Sequence, residues 1–333
     1  MPITYGIKLM TKAVRIHENG GPEVLQYEDV NVGKPGEGEV RLRHTAIGLN
    51  YIDVYHRVGG HGGPKPPAII GAEGAGIVEE LGAGVTEVKV GDRVGYGPRA
   101  GAYAEERIIA ADRLVPIPDG ITDELAAASL MKGMTAEYLI RRCYPVQKGE
   151  TIVAYAAAGG VGSILCQWAH HMGATVIGIV GSDEKAELAK ANGCAHTVNY
   201  KKDKIPEKVR ELTNGVGVPV VFDSAGGATF KDSLDCLAKR GYMISYGNAS
   251  GNVDPVPLGD LMSRGSLYLT RPTLGTYCAQ RDDILMSAKA LFDVMLAGHV
   301  KVNIGQRYAL KDIQQAHRDL EAGNTKGSSV ITP

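Results

Sequence analysis

The sequence predicts a two-domain α/β protein, with one domain a doubly wound parallel sheet and the other rich in short strands. Three observations predict it. The apolar run Val153 to Tyr155 enters the glycine-rich turn Ala156-Ala157-Ala158-Gly159-Gly160-Val161-Gly162, after which Ile164, Leu165, Trp168, Ala169 and Met172 recur at helical spacing up to Gly173. Ala174 to Val180 then forms a second apolar run, completing a strand, helix, strand unit. From Lys12 to about Val115 the pattern is different in kind, and 333 residues are enough for two domains.

In chain order, Lys12 to Ile16, Val24 to Tyr27 and Glu39 to Ile47 are short apolar runs separated by Gly20-Gly21-Pro22 and Pro35-Gly36-Glu37-Gly38. Val40-Arg41-Leu42-Arg43 alternates as a half-buried strand does, so this part reads as a β barrel or sandwich. Gly71-Ala72-Glu73-Gly74-Ala75-Gly76 enters the strand Ile77 to Leu81 rather than leaving one for a helix, which points to close backbone packing or a bulge and not to a phosphate site. After Pro116-Ile117-Pro118-Asp119-Gly120 the composition switches. Thr122 to Arg142 reads as two short helices broken between Lys132 and Thr135 at Gly133. Strands and helices alternate through about Pro272, including Val218 to Phe222 and Tyr242 to Tyr246. Asp282 to Leu296 and Leu310 to Leu320 are amphipathic helices, with strand-like Lys301 to Ile304 between them and Ser329 to Ile331 at the end.

The turn at 156–162 carries the chemistry. A helix start directs unpaired N–H groups and a positive dipole end forward, and glycines let a pyrophosphate approach without a Cβ in the way. Ala157 holds the first glycine position of G-x-G-x-x-G, with Gly159 and Gly162 in the other two. At the end of the second strand, where an NAD site places a carboxylate on the ribose, stand Val180, Gly181 and Ser182. With no carboxylate to repel it, a 2′-phosphate fits beside Ser182, Lys185 and Tyr200, which favours NADPH over NADH. Ser182 also reads as a plain N-cap, with Asp183 and Glu184 in the first turn and Lys185 solvated. Ligands of a parallel sheet meet the carboxyl ends of its strands, which nominates Ser224, Tyr246, Gly247 and Asn248; each is also a turn former.

Composition sets the outer bounds. With 44% apolar and 22% charged residues the chain is ordinary globular material, and a net charge of -1 leaves no electrostatic footprint for nucleic acid or an anionic membrane. No run approaches a membrane span, and Met1 to Met10 lacks the order of a signal peptide, so a cytoplasmic protein is expected. The five cysteines are scattered, without a C-x-x-C, and indicate neither disulfides nor zinc.

With these residues in hand, the chain resembles the medium-chain dehydrogenase/reductase superfamily, and within it the zinc-free quinone oxidoreductases of the ζ-crystallin type. The resemblance rests on Ala46 to Tyr55, Met131 to Ala136, Ala156 to Gly162 and Gly265 to Pro272, and it covers the chain after the first ten or so residues. It implies a GroES-like β-rich catalytic domain, residues 1–126 and 272–333, around a Rossmann NADPH-binding domain, residues 127–271, and usually a homodimer. Zinc-dependent relatives carry a His before the Glu of the Gly71-Ala72-Glu73 stretch and a Cys in the segment of Asn50; here those places hold Ala72 and Asn50. No metal ligand set remains, which leaves hydride delivery to an electron-poor acceptor such as a quinone or an enone.

The resemblance further implies that Asn50, Lys132, Thr135, Gly159, Gly160, Val161, Gly162, Ser182, Lys185, Tyr200, Ser224, Tyr246, Gly247, Asn248 and Arg271 line the NADPH site. Asn50, Asp53 and Tyr55 would serve the acceptor, with Asn50 and Tyr55 hydrogen-bonding its oxygens. Tyr55 also reads as a packed aromatic, and Asp53 as the cap of a local turn. Two rival functions share the fold: an NADPH-dependent enone or alkenal double-bond reductase, and a non-catalytic NADPH-binding protein of crystallin-like or RNA-binding kind.

Overall fold

The computed structural model describes residues 10–333. Residues 1–9, which bear on the signal-peptide expectation, lie outside the described residues. The chain divides into two compact units, Met1–Met131 with Asn303–Pro333, and Lys132–Val302.

In the first unit the alternation of Val40-Arg41-Leu42-Arg43 is realised directly. Val40 and Leu42 are fully buried, while Arg41 pairs with Glu80 and Glu106 and Arg43 with Glu79 on the other face. Their strand, Glu39–Leu49, sits at the centre of a seven-stranded sheet. On one side it pairs antiparallel with Glu73–Leu81, which is followed outward by Arg93–Tyr96 and Val115–Pro116; Glu106–Ala110 also pairs with it. On the other side Ser328–Thr332 pairs antiparallel with it and parallel with Ile304–Ala309. A three-stranded sheet of Met10–Ile16, Leu25–Asn31 and Ala68–Ile69 completes the strands, and Val14, Leu42, Ile47, Val78, Tyr96, Tyr103, Ile313 and Ile331 meet in one core. The 71–76 glycines act as packing devices. Gly71 has φ +90° and faces the Tyr103 ring, and a Cβ on Gly76 would strike the Arg43 carbonyl where the strand register shifts.

The second unit is built on a six-stranded sheet whose pairings are all parallel, in the order Cys194–Asn199, Thr175–Val180, Thr151–Tyr155, Val218–Asp223, Leu237–Ser245, Tyr268–Thr270. The chain starts in the middle, winds outward in one direction, then returns and winds in the other. The switch falls between Thr151–Tyr155 and Val218–Asp223, so a crevice opens at the carboxyl ends of those two strands. The fold is therefore α/β, with a β-rich unit and a doubly wound parallel sheet, as expected.

Some local expectations are corrected. Thr122 to Arg142 is not two helices: Asp123–Tyr138 is continuous and runs into a π-helical turn, Leu139–Cys143. Gly133 does not break it, because there glycine answers a packing need: a Cβ would collide with Leu291 of the helix Arg281–Leu296. Residues 272–302 group with the second unit rather than with the β-rich part, consistent with that contact and with the Ser287 hydroxyl donating to buried Glu137 at 2.9 Å. Lys301 to Asn303 is not a strand. The Gln167 side-chain amide takes both Lys301 backbone groups, at 2.8 and 3.0 Å, and the strand begins at Ile304.

Candidate functional site

In the second unit Tyr155 ends the first strand, and Ala156 turns the chain with φ +48°, a left-handed conformation that costs a non-glycine residue energy. Gly159 is the N-cap of the helix Gly160–His171, and the first intrahelical bond runs from Ser163 N to Gly159 O. The N–H groups of Gly160, Val161 and Gly162 precede that bond at the positive end of a twelve-residue helix. A Cβ on Gly162 would strike the Ala156 carbonyl, so the turn closes this tightly only on glycine. A Cβ on Gly160 would stand 2.8 Å from Lys132 Cδ, which places the buried Lys132 side chain across the helix start. Thr135 lies one turn further along the Lys132 helix.

At the neighbouring corner the Ser182 hydroxyl accepts the Lys185 N–H at 3.2 Å and caps the helix Asp183–Ala191. Tyr200 leaves its strand beside the same corner, its hydroxyl 2.7 Å from where a Gly181 Cβ would be. Of the two acidic residues in the first turn, Asp183 and Glu184, Asp183 faces Lys202 and Asn199. Those two contacts hold its carboxyl below the usual range, Lys202 contributing most. The corner thus offers a hydroxyl and a phenol at a helix start, with the Asp183 carboxylate paired to Lys202.

Across the switch point, Gly247 lets the loops after two strands touch, since a Cβ there would meet the Ser224 carbonyl. Tyr246 N donates to Asp223 O at 2.8 Å. Burial pushes the Tyr246 hydroxyl above its ordinary range, with a Ser224 hydrogen bond working against it. Asn248 donates to Asn252 at 2.8 Å, and Arg271 donates to the Ser245 carbonyl at 2.8 Å. The structure therefore gathers Lys132 with Gly160, Ser182 with Lys185 and Tyr200, and Ser224 with Tyr246 and Gly247. The chemistry of this donor set fits a dinucleotide: N–H groups and a lysine for a pyrophosphate, and a hydroxyl-bearing helix start for a ribose phosphate.

In the first unit Asn50 and Asp53 come together at the start of the helix Tyr51–Arg57. Asn50 N donates to Asp53 Oδ2 at 2.9 Å, so Asp53 caps the turn. The Asn50 amide nitrogen donates to Glu73 Oε2 at 2.8 Å, and Glu73 Oε1 accepts from Met131 N at 2.6 Å. Because a carboxylate only accepts, this fixes the amide orientation and turns its oxygen away from Glu73. That oxygen faces the Asp53 backbone N–H in a capping box, and both amide hydrogens are taken by Glu73 and the Gly48 carbonyl, so the Asn50 side chain has only an acceptor lone pair left to offer. Tyr55 is half-buried, stacked on His61 at 4.1 Å between ring centroids and edge-on to Tyr51 at 5.3 Å. Sequence reasoning missed Glu73, Tyr103 and His317. Tyr103 reaches Asp53, and His317 reaches the Tyr103 hydroxyl, from distant parts of the chain, and no local spacing signals them.

Among the described residues no group of three or more His, Cys, Asp or Glu side chains could hold a metal ion, and no helix is long and apolar enough to cross a membrane.

Residues 36–119 match the family model described as an alcohol dehydrogenase GroES-like domain, and residues 160–284 match that of a zinc-binding dehydrogenase. Among curated proteins, a quinone oxidoreductase of Pseudomonas aeruginosa is 48% identical over 97% of this chain and 100% of its own length. A 2-haloacrylate reductase of a Burkholderia species is 45% identical over 97% of this chain and 99% of its own. Among solved structures, the quinone oxidoreductase of Escherichia coli complexed with NADPH superposes with a TM-score of 0.95 at 43% identity, covering 97% of this chain and 100% of that one.

Proposed function

The chain belongs to the quinone oxidoreductase family of the medium-chain dehydrogenases/reductases, and we propose that it is an NADPH-dependent quinone oxidoreductase. The observation that carries the reading is the glycine-lined helix start at Gly159 to Gly162, with the capping Ser182 hydroxyl and Tyr200 phenol at the neighbouring corner. NADPH, when bound, supplies the hydride. The backbone N–H groups of 160–162 and Lys132 hold its pyrophosphate, while Ser182, Lys185 and Tyr200 take the 2′-phosphate. Thr135, Ser224, Tyr246, Gly247, Asn248 and Arg271 line the remainder of the cofactor site.

In the first unit, Asn50 offers its amide oxygen to a hydroxyl, Tyr55 offers its phenol to the acceptor oxygen, and Asp53 holds the Asn50 turn. No residue of this set acts as a Lewis acid, since Asn50 and Ala72 stand where zinc ligands stand in related dehydrogenases. Rate enhancement then comes from positioning and from hydrogen bonds to the developing charge on the acceptor. The likeness to a 2-haloacrylate reductase supports a second reading, in which the acceptor is an activated carbon–carbon double bond.

We also propose a cytoplasmic homodimer. All five cysteines are free thiols, as in a reducing compartment. The sheet ends on Tyr268–Thr270, where Tyr268 and Leu269 are exposed together with Leu258 and Met262 nearby in the chain, an apolar edge suited to a second copy.

The deciding experiment is oxidation of NADPH, with NADH beside it, against a benzoquinone, a naphthoquinone, an α,β-unsaturated ketone and 2-chloroacrylate. Quinone-dependent turnover with NADPH preferred is the expected result. Turnover with the unsaturated acceptors alone selects the double-bond reductase, and tight NADPH binding without oxidation by any of the four selects the binding protein.

A further inference from the structure

We propose that Tyr103 and His317 are positioning residues for turnover, holding the Asn50 turn through Asp53. The inference rests on the reading of Asn50 as a site residue. Asp53 Oδ2 accepts two hydrogen bonds, one from Asn50 N and one from the Tyr103 hydroxyl, each at 2.9 Å. The Tyr103 oxygen lies 3.0 Å from His317 Nε2, and His317 Nδ1 lies 3.0 Å from Arg57 Nη1. Arg57 is anchored by a two-pronged pair with Glu321 at 2.8 Å and by its Nε to the Gly20 carbonyl at 3.0 Å. Asp53, Arg57, Tyr103 and His317 are all essentially inaccessible to solvent.

The chemistry of the two ends fixes every donor. A guanidinium only donates, so His317 Nδ1 accepts and Nε2 carries the hydrogen. Nε2–H then donates to Tyr103, whose own hydrogen goes to Asp53, a carboxylate that only accepts. The chain of bonds therefore runs in one direction, from Arg57 to the oxygen that holds Asn50. Burial, assisted by the Arg57 charge, pushes His317 down to about 3, so the neutral ring this direction requires is the form present at ordinary pH. From the other side Glu73 grips the Asn50 amide. Without the Tyr103 hydroxyl, Asp53 Oδ2 keeps the Asn50 bond but loses the partner that fixes its rotamer, and the grip on the turn loosens on that side. The ring contact between Tyr103 and His317, edge-on at 5.8 Å, confines the hydroxyl to this geometry. His317 lies on the helix Ile313–Glu321, so the returning chain segment reaches into the site as well as completing a sheet.

The test uses the full-length protein as Tyr103→Phe, His317→Leu, His317→Gln, Asn50→Ala and the double variant Asn50→Ala with Tyr103→Phe. NADPH affinity, single-turnover oxidation by a benzoquinone and the melting temperature are measured for each. Tyr103→Phe is expected to slow turnover about 10-fold while NADPH affinity stays within about 2-fold. The double variant is expected to be no slower than Asn50→Ala, because both changes disable one device. His317→Leu should behave as Tyr103→Phe, and His317→Gln, which keeps a donor toward Tyr103, should recover most of the rate.

An unchanged rate in folded Tyr103→Phe overturns the proposal. So does a multiplicative loss in the double variant, or a lower melting temperature without a slower step. If Asn50→Ala itself leaves turnover intact, the failure lies in the reading of Asn50 and takes the proposal with it. Should Tyr103→Phe not fold, His317→Leu against His317→Gln decides alone.

Discussion

Two buried carboxylates, Asp223 in the second unit and Asp53 in the first, are satisfied over very different distances along the chain, although the second unit also ties buried Glu137 to Ser287 across 150 residues. In the second unit Asp223 is fully buried and takes four hydrogen bonds, from Ala225 N, Gly226 N, Thr229 Oγ1 and Ser233 Oγ, all within ten residues. In the first unit Asp53 is reached by Tyr103, Glu73 by Met131, and Arg57 by His317 and Glu321. A carboxylate tied up locally stays in place as long as its own loop does. One satisfied across tens or hundreds of residues depends on the whole unit being closed. The first unit should therefore be the more sensitive to charge and to global loosening, and the second to changes of backbone shape.

Acid gives the largest separation. His44 and His317, both in the first unit, are pushed from 6.5 to about 3, His44 by burial and then Arg107, His317 by burial and then Arg57. Each is neutral when folded and charges readily when unfolded. The stability they confer is full above about pH 6.5 and is lost as pH falls toward about 3, several kcal/mol together by linkage. Hydrogen exchange followed by mass spectrometry across this range should show 10–131 and 303–333 opening ahead of 132–302. Simultaneous opening would remove the contrast.

Gly162→Ala attacks the second unit in its own terms. Its Cβ overlaps the Ala156 carbonyl, so the turn must shift, at about 3 kcal/mol of stability, and NADPH binding should fall steeply. Calorimetric titration checks it, and an unchanged affinity would show that the turn does not meet the cofactor. Lys185→Ala sharpens the assignment of the neighbouring corner. Loss of one charge-assisted bond, about 1.5–3 kcal/mol, should weaken NADPH roughly 10- to 150-fold and leave NADH almost untouched; equal losses would make Lys185 structural.

The smallest effect is a matched pair of charge removals. Glu321→Gln leaves the buried Arg57 with a neutral partner and should cost about 1 kcal/mol, since Glu321 is itself one-third exposed. Glu207→Gln removes an exposed i, i+3 pair with Lys204 and should leave denaturant midpoints unchanged. Equal shifts would mean that the Arg57 chain is no more than surface chemistry.

What could be read from sequence follows the same division. The parallel sheet, the Gly159 helix start and the Ser182 cap are legible because each is set by residues a few positions apart. Asp53 was legible as a turn cap for that reason. The grip of Glu73 on Asn50, and the reach of His317 to Tyr103, have no local period; only the folded sheet brings them together. Gly133 shows the converse failure. A glycine inside an apolar helical run signals a break by propensity, yet its cause was a leucine 158 positions away that required the space.

Ser328–Thr332 lies beside Glu39–Leu49, so the sheet that carries Asn50 lacks an interior strand until residue 332 has been synthesised. Lys132–Val302 has all six of its strands well before then. On the ribosome the order of maturation is thus inverted relative to the order of translation: the inserted unit can fold while its host waits with an open edge. A truncation that removes only the last few residues should for that reason leave a nucleotide-binding protein with an unfinished first unit.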